Sequence, residues 1–183
     1  MPQTIAFQRR MAGWRVACWS AAAALLALPA IAMLFTHEVD WTAGDFAFAA
    51  ILLGVTGLAA EGALRVSDTW PQLIGYGLAI LAALLTVWSN LAVGIVGEPG
   101  GAINLGFFAV LFAGVATATV NRFAPRALAH TTGVLAVSQL AMGLAAMQAM
   151  PDDDVVWGAL ALLAGLWLGA SLALRFHTAK AAG

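Results

Sequence analysis

Three polar side chains could carry chemistry, because they lie toward the same end of three consecutive apolar runs: Asp45, Asn90 and Asn104. Ionisable and amide groups are costly inside a membrane, so each one within a span is a candidate for function. Together with Trp88, which lies close to Asn90, they predict an outward-facing polar pocket with Asp45 as its charge. The alternative is hydrogen bonding between helices and helix capping, because Asp45 and Asn104 lie near helix starts.

A second candidate is the pair Glu61 and Arg65, which are four residues apart in the order that favours an ion pair on one helix face. We interpret it as an inner ion pair that anchors a helix at the membrane surface. A proton-carrying carboxylate is the functional alternative. Sixteen residues separate Asp45 from Glu61, which turns their side chains roughly 160° apart in a straight helix. One pathway that uses both carboxylates is therefore not expected.

Small residues mark a third feature, in the last apolar run. Gly158, Gly165 and Gly169 lie close to one stripe, and the last two have the spacing at which two helix backbones approach closely. This stripe predicts helix packing. The partner helix, in the same chain or in another copy, stays open.

Several classes of site are not expected from the sequence. Cys18 is the single cysteine, and His37, His130 and His177 are scattered, so neither a metal site nor an axial pair for haem is predicted. Ser89 and Ser138 have no base nearby in the sequence, and we predict no catalytic residue and no cofactor. We interpret the acidic triplet 152–154 as solvated charge. The net charge of −1 argues against nucleic-acid binding.

The elements that carry these residues are apolar runs of membrane-spanning length. Hydrophobic residues make up 62% of the chain and charged residues 9%, against about a quarter charged in a soluble domain. The runs do not alternate apolar and polar residues, as the strands of a membrane barrel would, so they predict helices. The sequence predicts an all-α polytopic bundle, a single transmembrane domain over 1–183 with spans at about 14–35, 43–64, 74–96, 104–120, 127–149 and 155–174.

Charge predicts the orientation of these helices. With six spans, all eight Lys and Arg residues fall on one side, and seven of the nine acidic residues fall on the other. The positive-inside rule then gives three antiparallel hairpins with both termini in the cytoplasm. One alternative is a signal peptide cleaved after Ala32, which would leave five spans. The apolar run continues through Phe35 and is long enough to span, which favours a retained first helix.

One stretch has a family resemblance. The segment 87–97 (VWSNLAVGIVG), followed by 104–108 (NLGFF), resembles a family of small bacterial multi-pass membrane proteins. The resemblance covers residues 45–122 best. It implies a location in the bacterial cytoplasmic (inner) membrane and no particular activity.

For function, the sequence favours a structural or accessory membrane component. Its expected partners are the lipid bilayer and either further copies of itself or a larger membrane complex. A channel or transporter for a small solute or ion, using the candidate pocket, is the alternative. A second alternative is an intramembrane enzyme acting on lipid or quinone, although no acid-base pair is visible at a usable spacing.

Overall fold

The computed structural model describes residues 2–92, 94–97, 102–150 and 155–182, with side-chain surroundings for 13–92, 94–97, 103–150 and 155–178. In this part of the chain the helices are α1 (Pro2–Ala32), α2 (Ala43–Val66), α3 (Trp70–Ala92), α4 (Ala102–Val120), α5 (Pro125–Ala149) and α6 (Trp157–Ala182). All six are long and apolar enough to cross a membrane. The prediction of an all-α protein with six such helices is confirmed, and the chain has the character of a multi-pass membrane protein.

Both ends of α3 differ from the prediction. The helix starts at Trp70 rather than near 74, because Pro71 lies in the first turn, where its missing N–H has no partner to lose. It ends at Ala92 rather than near 96. There Gly94 takes a positive φ of 77° and donates its N–H to Ser89 O at 2.9 Å. A left-handed glycine in this position is a common helix stop.

The first helix also ends earlier than predicted. Helix α1 stops at Ala32, and the chain continues through turns in which Leu34 N–H bonds to Ile31 O and Phe35 N–H bonds to Ala32 O. The stretch of α1 with spanning character is Gly13–Ala32. Its length is sufficient to cross a bilayer without the residues that follow.

Contacts divide the chain into two compact units, residues 1–68 and 69–183. In the first unit α1 packs along α2. The Trp19 ring lies over Gly57, where an added Cβ would approach the ring to 3.0 Å. This glycine therefore sets how closely the two helices approach. The interpretation of the whole chain as a single transmembrane domain stays a prediction.

In the second unit α5 packs most extensively on α6, and α6 also packs on α3, while α4 packs on α5. Small residues again allow the close approach. An added Cβ at Gly75 would lie 2.5 Å from Leu174 Cγ, and one at Gly143 would lie 2.4 Å from Leu160 Cδ1. Both leucines are fully buried. In lipid the hydrophobic effect contributes little to the association of apolar helices. Close contacts of this kind are therefore a main source of helix association.

Hydrogen bonds tie the ends of the second unit. At one end, Val96 in the α3–α4 connection forms an antiparallel bridge with Val155 in the α5–α6 connection, and Val156 N–H donates to Ile95 O at 3.1 Å. At another place, the Tyr76 hydroxyl donates to Phe123 O at 2.8 Å and so links α3 to the α4–α5 turn. Connections that are distant in sequence are thereby held together.

Gly75 and Gly77 offer a matched test of glycine packing on one helix. We expect Gly75→Ala to destabilise the second unit by about 1–3 kcal/mol, the usual cost of overpacking, because Leu174 Cγ and Ala170 O leave no room for a methyl group. Gly77→Ala meets no atom within 4 Å and should be neutral or stabilising, since alanine favours helix. Thermal unfolding of the purified proteins in detergent measures both. Equal midpoints for the two variants would contradict the packing described.

Candidate functional site

Asp45 forms the cap of its own helix. Its Oδ2 accepts hydrogen bonds from the Thr42 N–H at 2.8 Å and the Thr42 hydroxyl at 2.7 Å. In return, Asp45 N–H donates to Thr42 Oγ1 at 3.3 Å. This reciprocal pair is a capping box, which satisfies backbone donors that the first turn of a helix leaves free. The charge of the predicted pocket therefore has a local structural partner in α2.

Asn104 joins the start of α4 to the connection that precedes it. The side chain is buried, with 1% of its surface exposed. Its Oδ1 accepts from the N–H groups of Ile95 and Val96, each at 3.3 Å, and its Nδ2 donates to Val96 O at 3.0 Å. Three backbone groups without helical partners are satisfied by one amide. Asn104 therefore holds the α3–α4 connection against the start of α4.

Asn90 lies fully buried in the last turns of α3. Its Nδ2 donates to Thr86 O at 2.7 Å. Its Oδ1 has no hydrogen-bond partner among the described residues. Trp88 lies two positions earlier, roughly 200° around the helix, and 39% of its surface is exposed. Asn90 and Trp88 therefore face different surroundings.

A buried polar link, formed by Thr86 and Gln139, joins α3 to α5. Gln139 Nε2 donates to Thr86 Oγ1 at 3.0 Å, and that hydroxyl donates to Ala82 O at 2.8 Å. Both side chains line a cavity of about 10 Å³ whose other walls include Phe107 and Trp167. A cavity of that size holds about one water molecule. The polar link is thus a helix-helix contact with room for about one water molecule.

The second candidate group surrounds Glu61. Its Oε1 accepts from Nη2 of both Arg15 and Arg65, and its Oε2 accepts from Trp19 Nε1 at 3.2 Å. The Glu61 side chain is 15% exposed, against 46% for Arg15 and 65% for Arg65. One carboxylate on α2 therefore holds two side chains of α1 in addition to the neighbour predicted from the sequence. We call these four residues the Glu61 cluster.

Sequence reasoning missed Arg15 and Trp19 as members of this cluster. The signal available in the sequence was the spacing of Arg15 and Trp19, which are four residues apart and so share one face of α1. Which face of α2 they meet depends on the packing of the two helices, which periodicity does not give. The apolar runs carry no sharp amphipathic face that would have fixed that packing.

The glycines of α6 divide into two groups. An added Cβ at Gly169 would lie 3.2 Å from Leu78 Cδ1, whereas Gly158 and Gly165 have no atom within 4 Å. Close packing inside the second unit also uses glycines outside the predicted stripe, among them Gly75 and Gly143. The first part of the stripe has no such contact with the described residues of the second unit.

Other polar contacts in the second unit hold helix ends and helix faces. Thr69 Oγ1 lies 2.9 Å from His177 Nδ1, and Ser171 Oγ donates to Ala129 O at 2.6 Å. Within the described residues no group of three or more His, Cys, Asp or Glu side chains is placed to hold a metal ion. The acidic triplet 152–154 lies outside the described residues.

The structure brings the three predicted pocket residues into three separate local roles. Asp45 belongs to the first unit, while Asn90 and Asn104 belong to the second and bond to different backbone groups. The outward-facing pocket stays a prediction. Of its members, Asn90 alone has a buried polar atom without a partner among the described residues.

Access of water to position 90 tests the pocket directly. In a Cys18→Ser background, we expect Asn90→Cys to resist a membrane-impermeant thiol reagent, because the native side chain is fully buried. His37→Cys, at an exposed position between α1 and α2, is the positive control for labelling. The measurement is the labelled fraction with time in intact membranes. Labelling of position 90 as fast as of position 37 would establish a water-filled path to it.

The Thr86–Gln139 link makes a second prediction. Thr86→Val leaves the Gln139 amide without its acceptor, and Gln139→Leu removes the donor. A double-mutant cycle of these substitutions should give a coupling of about 0.6 kcal/mol, and at most about 1.7 kcal/mol, as for hydrogen bonds between membrane helices. Reversible unfolding in mixed micelles measures the four stabilities. Strict additivity of the two single changes would contradict the bond.

Comparison of the chain with protein-family models, with curated proteins and with solved structures found no match. The roles of its residues therefore follow from their contacts, burial and charge.

Proposed function

We propose that this protein is a small structural or accessory component of a membrane, which associates with further copies of itself or with a larger complex. The observation that carries the proposal is the open stripe on α6. Gly158 and Gly165 have no atom within 4 Å of an added Cβ, and Ala161 between them is exposed. A stripe of small residues in an apolar helix permits close approach of a second helix.

The use of the polar side chains supports the same proposal. Asp45 caps α2, Asn104 holds the connection before α4, and Gln139 links two helices through Thr86. In each case the polar group satisfies another group of the scaffold. Buried polar groups in membrane proteins serve either packing or a substrate path, and these contacts favour packing.

For the arrangement in the membrane we propose three antiparallel hairpins with both termini in the cytoplasm, in the inner membrane of a bacterium. The segregation of Lys and Arg residues to one set of connections supports the orientation. The Val96–Val155 bridge supports the placement of the α3–α4 and α5–α6 connections at one membrane surface.

A channel or transporter for a small solute or ion is the alternative function. The one observation in its favour is the unpartnered Oδ1 of buried Asn90, since a ligand could supply the missing donor. The second alternative is an enzyme acting on lipid or quinone, and no specific contact among the described residues supports it. The structural proposal is preferred because more of the polar side chains are accounted for.

The oligomeric state tests the proposal, and the chain provides a control. We expect the wild-type protein in lipid nanodiscs to be a dimer or larger. Gly165→Leu should weaken this association about tenfold or more, because the added side chain separates the two backbones. Gly77→Leu places the same side chain at another open position, on α3, and should leave the association unchanged. Native mass spectrometry at several protein-to-lipid ratios measures both.

The thermal midpoint of each monomer should stay near that of the wild type, since a Cβ added at either position has no atom of the described chain within 4 Å. A wild-type protein that is monomeric at every ratio, with no partner retained from native membranes, would overturn the proposal. Equal effects of the two leucine variants would remove α6 as the interface.

A further inference from the structure

An open groove follows one face of α1 in the first unit, where α1 meets Glu61 of α2, and part of the Glu61 cluster lines it. Its walls are Arg15, Val16, Trp19, Ser20, Ala23 and Glu61. Arg15 lies next to Trp14 at the start of the predicted span 14–35, where basic and aromatic side chains mark the membrane surface, so the polar end of the groove is at the level of lipid headgroups. Val16, the next residue, and Ala23, about two turns further on, provide the apolar part of the wall.

The polar end of the groove has hydrogen-bond donors to spare and no free carboxylate oxygen. Glu61 Oε1 already accepts from Arg15 and Arg65, and its Oε2 accepts from Trp19. Arg15 uses one nitrogen, Nη2, for this contact and remains 46% exposed. A guanidinium has five N–H donors, which suit the oxygens of a phosphate group. The groove therefore matches a ligand that is rich in acceptors.

Charge favours the same class of ligand. Residues 1–37 contain three arginines and no Asp or Glu. Two guanidinium groups share the single carboxylate of Glu61. A positive segment at the start of a membrane helix attracts anionic lipids, by roughly 1 kcal/mol for each basic residue.

We propose that this groove binds the headgroup phosphate of an anionic phospholipid. The phosphate accepts hydrogen bonds from the Arg15 guanidinium, and the Ser20 hydroxyl lies further along the same wall. An acyl chain lies against Val16 and Ala23, which a free phosphate ion would not use. Glu61 acts as the group that holds Arg15 and Trp19 in place for the lipid.

Lipid titration followed by native mass spectrometry tests this site. The full-length protein in detergent is titrated with dioleoylphosphatidylglycerol and, separately, with dioleoylphosphatidylcholine. We expect one lipid to bind with a clear preference for phosphatidylglycerol. Arg15→Gln should lower that affinity about fivefold or more. Arg126→Gln, which removes an exposed arginine in the second unit, should leave the affinity unchanged.

A second variant blocks the groove without changing its charge. Ser20→Trp should fill the groove and reduce binding while the ion pairs of Glu61 remain, so a loss of binding there does not depend on whether Arg15→Gln folds. Arg15→Lys keeps the charge but loses the forked geometry, and should lie between wild type and Arg15→Gln.

Four outcomes would overturn the proposal. The first is equal affinity for the two lipids. The second is an equal loss in Arg15→Gln and Arg126→Gln, which would indicate general charge attraction. The third is displacement of the lipid by millimolar inorganic phosphate, which would make the site one for the free ion. Retention of the preference in Ser20→Trp would likewise move the lipid elsewhere.

Discussion

The packing of this protein is governed by one property of the hydrocarbon core of a membrane. It provides no hydrogen-bond partners, and it provides little hydrophobic stabilisation of contacts between apolar helices. The protein meets this constraint by close backbone approach at glycines and by polar side chains that bond across helices. In the first unit both means converge on one face of α2, where Gly57 accommodates the Trp19 ring and Glu61 binds its indole N–H. Removal of either would leave α1 with few specific contacts to α2, since most of its described side chains, 13–32, are exposed.

In the second unit the same means are distributed over four helices. Gly75 and Gly143 allow leucines of α6 to approach α3 and α5, and the Thr86–Gln139 bond adds a directional contact between α3 and α5. The glycine contacts set the distance between neighbouring helices. The Thr86–Gln139 hydrogen bond sets the rotation of α3 and α5 about their axes, because each helix carries the bonding side chain on only one face. A bundle of near-uniform apolar helices thereby acquires a single packing.

The six helices were well predicted from the sequence. The length and hydropathy of a membrane-spanning helix are set by the thickness of the bilayer and do not depend on contacts elsewhere in the protein. The ends of α3 were less well predicted, since Pro71 and Gly94 act through local backbone geometry. The candidate site was harder to predict from the sequence. The Glu61–Arg65 pair is local and visible in spacing, but Arg15 and Trp19 reach Glu61 across two helices. Such contacts depend on helix rotation, which weakly amphipathic runs do not encode.

The Val96–Val155 bridge has a consequence for the order in which the protein forms. Its two halves lie in connections that precede α4 and α6, so the bridge cannot close until the chain has been synthesised as far as Val155. The bonds from Asn104 to Ile95 and Val96 need only the start of α4 and are available earlier. The Asn104 amide can therefore satisfy backbone groups of this segment before Val155 is present to pair with it. Co-translational assembly of the second unit is in this sense completed at its last connection.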